Sequence, residues 1–273
     1  MTEVGYVPLF CAAMTAKAVD TTTSKTPQTP RKQLRSAEEI GLALDRGAPV
    51  HFVLCLEGAC DPAVERVVER AAEMGISVRR VAERQLRRLL PHGTQSQVLA
   101  LEGPGPGASL AEVMQRPEVV WMLVGCGYPG NVGYAIRSAE VSGAAGIVVA
   151  SDFDRTERRD CLRYGMRVDR FFPVHFADAA ESLALARAAG RTVVAVEDVG
   201  NDAPWQVDLS GPLLIVIGGE EAGIPKSVLA EADYVVRVPM NGFLPSFNLQ
   251  AAMAIVMGER LRQTQPTTNT SSD

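Results

Sequence analysis

The chain has 273 residues, 47% hydrophobic and 22% charged, with 27 basic against 32 acidic residues for a formal charge of -5. That length accommodates one large or two ordinary domains, and the acidic balance excludes attachment to nucleic acid by global charge, so any such contact needs a local basic patch. Five scattered cysteines (Cys11, Cys55, Cys60, Cys126, Cys161) without a Cys-x-x-Cys pair, and only three histidines, point away from both a disulfide framework and a metal site.

Residues 1–33 mix Thr, Pro and basic residues without an apolar period, which predicts a flexible segment. The start lacks a basic stretch ahead of an apolar one, and no run reaches the roughly 20 apolar residues of a membrane span. A cytoplasmic protein with free thiols and no membrane partner is expected. Ser36 followed by Glu39 has capping-box spacing, predicting a helix that runs to Arg46 and stops at Gly47. Then come a strand over 50–56, an amphipathic helix over 61–75, a strand over 76–81, a helix over 82–90 and a strand over 96–102. This alternation predicts a small α/β domain over 34–103. GPGPGAS (103–109) breaks every pattern, and 104–117 is read as a linker.

From 118 to 264 the strands are longer and continuously apolar: 119–124, 146–150, 192–197, 213–218 and 234–239. Unbroken Val/Ile runs predict strands buried on both faces, as in a parallel sheet covered by helices. The intervening helices fit at 132–142, 156–164, 178–189, 225–231 and 247–262. The tail 265–273 has the polar composition of a disordered end.

In a parallel sheet, ligands bind where the carboxyl ends of the strands gather. Three loops follow strands here. GCGYPGNVGYAIR (125–137) is a glycine-rich strand-to-helix turn that suits a dinucleotide or phosphate site equally well, although the G-x-G-x-x-G and Walker spacings are absent. GGEEAGIP (218–225) follows the run LLIVI, and VPMNGFLPSFN (238–248) follows YVVRV. Their glycines allow sharp turns and close approach to main chain.

Taken together, N-x-G-x-x-x-R (131–137), G-x-E-x-x-G (218–223) and V-P-M-x-G-x-x-x-S-x-N (238–248) resemble the three signature motifs of the SpoU/TrmH class of SPOUT RNA methyltransferases. The resemblance covers 118–262. Residues 34–103, closing on HGTQSQVLALE (92–102), resemble the L30e-like substrate-binding domain often joined to that class. The resemblance implies an α/β fold with a mostly parallel sheet and a trefoil knot, a homodimer, S-adenosyl-L-methionine as cofactor, and methylation of a ribose 2′-hydroxyl in RNA, with ribosomal RNA favoured over transfer RNA.

It also assigns roles. Arg137 matches the catalytic arginine; because a guanidinium stays protonated, positioning and electrostatic help to the hydroxyl are favoured over literal proton abstraction. Asn131, Glu220, Ser246 and Asn248 match polar positions around the reacting centre. Gly218, Val238 and Phe247 match the cofactor cradle, and Gly219, Met240 and Gly242, nearby, are counted with them as cofactor-binding. Six arginines within 155–170, with Arg158, Arg159 and Arg163 foremost, offer phosphate contacts beside the site; a further five lie within 79–88.

Plainer readings stand beside these. Arg137 has Glu140 as a helical neighbour with which to pair, Glu220 and Glu221 suit a helix N-terminus, Asn248 suits a helix start, and Met240 suits a core. The departures from the class pattern are Tyr128, Phe247 and Gln250. They leave a non-catalytic RNA-binding protein on the same fold as the rival. An unrelated α/β nucleotide enzyme accounts for the strands and leaves the second and third loops unexplained.

Overall fold

The computed structural model describes residues 31–103, 105–244 and 246–265; residues 1–30 of the expected flexible stretch 1–33, Cys11 and most of the tail lie outside them. The described chain begins with strand β1 (Lys32–Leu34), helix α1 (Ala37–Asp45), β2 (Val50–Leu56), α2 (Pro62–Glu73), β3 (Ser77–Val81), α3 (Glu83–Arg87) and β4 (Val98–Glu102). These strands form one sheet in the order β1-β4-β2-β3. β4 runs antiparallel to β1 and β2, while β3 is parallel to β2. The Ser36 hydroxyl accepts the Glu39 N–H at 3.1 Å, as the spacing predicts, and Gly47 adopts φ +66° just past the helix.

The second part contains α4 (Leu110–Met114), β5 (Val120–Val124), α5 (Pro129–Val141), β6 (Gly146–Ala150), α6 (Arg155–Tyr164), β7 (Val174–Phe176), α7 (Ala179–Ala188), β8 (Thr192–Val196), β9 (Leu213–Gly218), α8 (Lys226–Leu229), β10 (Tyr234–Val236) and α9 (Leu249–Thr264). Its six strands lie in the order β10-β8-β9-β5-β6-β7, and every neighbouring pair is parallel. Alternate residues serve the two faces. Trp121, Leu123, Ile147, Ile215 and Ile217 pack in one core with Val132 and Ile136 of α5 and Met253 and Val256 of α9. Val120, Met122, Val148, Leu214 and Val216 pack in the other with Leu183 of α7 and Val228 of α8. Both faces are covered, which is why the strands carry no polar alternation.

Three features depart from the sequence expectations. Lys32 and Gln33, placed in the flexible segment, are paired in β1 with Glu102 and Leu101. The stretch read as a linker contains α4, capped by Ser109 and Glu112, and Arg191 fastens it by donating to the carbonyls of Met114, Glu118 and Leu213. Arg191 is buried, and burial lowers its pKa to about 10. β7 was not foreseen; three residues are too few to show a period.

Candidate active site

The loops singled out in the sequence meet at the carboxyl edge of the parallel sheet. β5 and β9 are paired in register with Val124 opposite Gly218, so the chains leaving both strands run side by side. Gly219 donates its N–H to the Val124 carbonyl at 2.8 Å. A Cβ on Gly219 would collide with the Gly125 carbonyl oxygen and sit 3.0 Å from the Cys126 Cα. A Cβ on Gly218 would lie 2.5 Å from the Ile224 nitrogen and 2.7 Å from the Gly223 oxygen. These two glycines let main chain pack on main chain. Gly223 has φ +63° and closes the turn by donating to Gly219 O at 3.0 Å.

A residue not anticipated from sequence holds this turn. Glu197, directly after β8, accepts the Ile224 N–H at 2.7 Å, and the same carboxylate oxygen would lie 2.7 Å from a Cβ on Gly223. An acidic residue at the end of a parallel strand was the available signal. Ser151, following β6, likewise accepts the Cys126 N–H at 2.8 Å. The Cys126 thiol is buried, and burial, reinforced by the nearby Glu220 charge and opposed by Ser151, pushes it up to about 12.

The three motifs converge on one carboxylate. Asn131, in the first turn of α5, donates its amide to Glu220 Oε1. Asn248 donates to the same oxygen at 2.8 Å. Asn248 also caps α9 by accepting the Gln250 N–H at 3.0 Å, so the plain reading of it as a helix start and its place in the cluster both hold. Gln250 then reaches across to donate its side-chain amide to Asn131 Oδ1 at 3.2 Å. Asn131, Glu220 and Asn248 are thereby brought together, and Gln250 joins them.

The other candidates are placed less tightly. Arg137 is exposed on α5 and makes no hydrogen bond or ion pair among the described residues. The helical pairing with Glu140 is absent, because Glu140 faces Arg31 at 3.4 Å. Val238 is buried in the main core, Met240 is half-buried, and Gly242 and Ser246 are exposed. Ser246 has no hydrogen bond to the Glu220 cluster among the described residues. Phe247 is partly exposed, while Phe243 and Leu244 are almost fully so.

Of the arginines, Arg158 donates to the Phe153 carbonyl at 2.9 Å and lies over the Phe176 ring. Arg163 pairs with Asp160 at 3.2 Å and stacks on Tyr164. Arg159 is exposed and without a partner among the described residues. The predicted trio therefore divides, with two members already engaged within the protein. Among the described residues no group of His, Cys, Asp or Glu is arranged to hold a metal, and no helix is long and apolar enough to cross a membrane.

The donor set suits S-adenosylmethionine. A carboxylate and two amides stand beside a loop that presents flat apolar surface at Phe247, with open space around Gly242. Such a combination can take a purine on its apolar side and hydroxyl or amino groups on its polar side. The fold and this cluster define an α/β protein whose six-stranded sheet is wholly parallel, with its ligand edge built from strand-end loops.

Comparison with known proteins narrows the class. Residues 118–258 match the model of the SpoU rRNA methylase family. The 23S rRNA (guanosine-2′-O-)-methyltransferase RlmB of Pseudomonas syringae pv. tomato is 28% identical over 221 residues, covering 78% of this chain and 88% of that protein. An AdoMet-bound rRNA methyltransferase from Sinorhizobium meliloti superimposes with a TM-score of 0.54 at 25% identity, covering 86% of this chain and 88% of that one. A crystal structure of an RNA 2′-O ribose methyltransferase gives 0.52 at 27% identity, covering 85% and 88%. The chain belongs to the SpoU rRNA methylase family. It is accordingly an S-adenosylmethionine-dependent RNA 2′-O-ribose methyltransferase.

Proposed function

We propose that the Glu220 cluster marks the methyl-transfer site and that its substrate is the ribose of a guanosine in structured ribosomal RNA. The observation that carries the reading is the convergence of Asn131 and Asn248 on one oxygen of Glu220 from motifs 89 and 28 residues away. The guanosine and ribosomal assignments follow the RlmB relatives, whose names specify both.

The cofactor supplies an electrophilic methyl group on a sulfonium. A ribose hydroxyl is a poor nucleophile at neutral pH, so the chain's contribution is alignment and charge. Arg137, with no partner among the described residues, is free to bind an RNA phosphate next to the reacting sugar and to stabilise negative charge developing on its oxygen. Glu220 offers Oε2 as an acceptor for a hydroxyl or ammonium group, while Ser246 supplies a further hydroxyl from the 238–248 loop. Gly218, Gly219, Val238, Met240, Gly242 and Phe247 form the cofactor wall.

In the same reading the protein is a cytoplasmic homodimer whose C-terminal part, through α9, forms a trefoil knot. Residues 34–103 act as an L30e-like RNA-binding domain, recognising a folded RNA element by shape. The four-stranded sheet with helices supports a separate module, which includes Lys32 and Gln33 because β1 belongs to it.

The test is transfer of labelled methyl from S-adenosylmethionine to ribosomal RNA by purified protein, with ribose methylation mapped in total RNA from cells with and without it. A new 2′-O-methylguanosine is expected. RNA binding retained with no cofactor binding by calorimetry would overturn the reading.

A further inference from the structure

We propose that Gln250 is a positioning residue that locks the Asn131 amide in the orientation required by the Glu220 carboxylate; this rests on the methyltransferase reading of the site. The two ends of an asparagine side chain have nearly the same shape and opposite hydrogen-bonding sense. Asn131 therefore has two orientations, and only one is productive. A carboxylate oxygen only accepts, so Asn131 must present its NH₂ to Glu220 Oε1. The opposite orientation would set Oδ1 against the carboxylate.

Gln250 reinforces the orientation that Glu220 imposes. Its Nε2 donates to Asn131 Oδ1 at 3.2 Å, and a donor at that point requires the oxygen to face it. The main chain of the same residue donates to Asn248 Oδ1 at 3.0 Å, which sends the Asn248 NH₂ toward Glu220 at 2.8 Å. One residue thus contacts both amides that converge on Glu220, Asn248 through its main chain and Asn131 through its side chain. The bonds form a closed ring from the Gln250 main chain through Asn248, Glu220 and Asn131 to the Gln250 side chain. Glu220 Oε1 is occupied by two donors, while Oε2 makes no hydrogen bond among the described residues and is left for the ligand. Because a ring shares its members, loss of one link loosens the rest.

Hydrogen-bonding sense, not bulk, is what the proposal requires at 250. Gln250→Met keeps length and neither donates nor accepts; Gln250→Glu accepts only and rewards the wrong Asn131 orientation. In the full chain, Gln250→Met is expected to lower kcat for methyl transfer about tenfold, with the KM for S-adenosylmethionine changed less than threefold. Gln250→Glu should lower kcat further. The side-chain NH₂ signals of Asn131 should shift and exchange faster in Gln250→Met, a readout that does not depend on activity. Equal kcat in wild type and Gln250→Met, a Glu variant at least as active as the Met variant, or unchanged Asn131 signals would overturn the proposal. Wild-type protein unable to methylate any RNA would instead overturn the reading of the site, with the Asn131 signals still deciding whether Gln250 orients that amide.

Discussion

Arg31 Nη2 lies 3.4 Å from Glu140 Oε1, so the residue leading into the first sheet is ion-paired to the helix that carries Asn131 and Arg137. The same guanidinium donates to the Phe171 carbonyl at 3.1 Å and lies over the Phe172 ring. Its side chain is only 6% exposed. Removing one partner of such a pair leaves a poorly solvated charge. Arg31→Ala is expected to destabilise the chain by about 2 kcal/mol, and Arg31→Lys to lie between, since a lysine lacks the planar fork. Denaturant unfolding measures this; an Arg31→Ala midpoint equal to wild type would show that the pair contributes nothing.

Arg137→Ala should remove methyl transfer while leaving RNA affinity within about threefold, because one phosphate contact is a small part of a large polyelectrolyte interface. No internal bond among the described residues is lost, so the thermal midpoint should not move. Retained kcat in this variant would exclude Arg137 from the reaction.

Gly219→Ala places a methyl group against the Gly125 carbonyl and 3.0 Å from the Cys126 Cα. Both obstacles are main chain, so the strain should cost about 2 kcal/mol and weaken cofactor binding at least tenfold by displacing the loop. Gly258→Ala on α9 is the control, since nothing lies within 4 Å of its Cβ position and it stands outside the site. Calorimetry on both variants decides it, and equal affinity for wild type and Gly219→Ala would refute the account.

The Cys126 and Cys161 thiols are both pushed up to about 12, foremost by burial, from an ordinary value of 9.0. A raised pKa in the fold means that the unfolded chain loses its protons first. The stability tied to these groups is present below about pH 9 and is lost as pH climbs toward 12. The thermal midpoint should therefore fall between pH 8.5 and pH 10.5 by these groups' share, on the order of a few degrees. Cys161→Ala should flatten the profile. An unchanged slope in that variant would assign the alkaline loss to other groups.

Among the arginines of α6, Arg159 should matter more to RNA than Arg163, which is already paired with Asp160. Arg159→Ala is expected to reduce the dependence of log affinity on log salt by about one, with Arg163→Ala giving less. RNA titrations at several salt concentrations test the order, and the reverse order would mean that the Asp160 pair opens on binding.

Much of the fold was legible in the sequence because the forces that write it are local. Continuous apolar runs marked β5, β6, β8 and β9, and a Ser-x-x-Glu start with a glycine stop marked α1 within two residues. β1 and β7, of three residues each, were not legible; pairing across the sheet defines them rather than any period. The supposed linker read as loose for a similar reason, since its anchor is Arg191, more than seventy residues away.

For the site, the sequence by itself determined which loops carry the chemistry and supplied Asn131, Glu220 and Asn248 as candidates by resemblance to a family. Only the tertiary structure decided that these three share one carboxylate oxygen, that Glu197 pins the glycine turn, and that Gln250, seen in the sequence as a mere departure, closes the ring. The physical reason is register. Hydrogen bonds between side chains 89 and 119 residues apart depend on Val124 lying opposite Gly218, and that pairing is a property of the assembled sheet rather than of any segment within it.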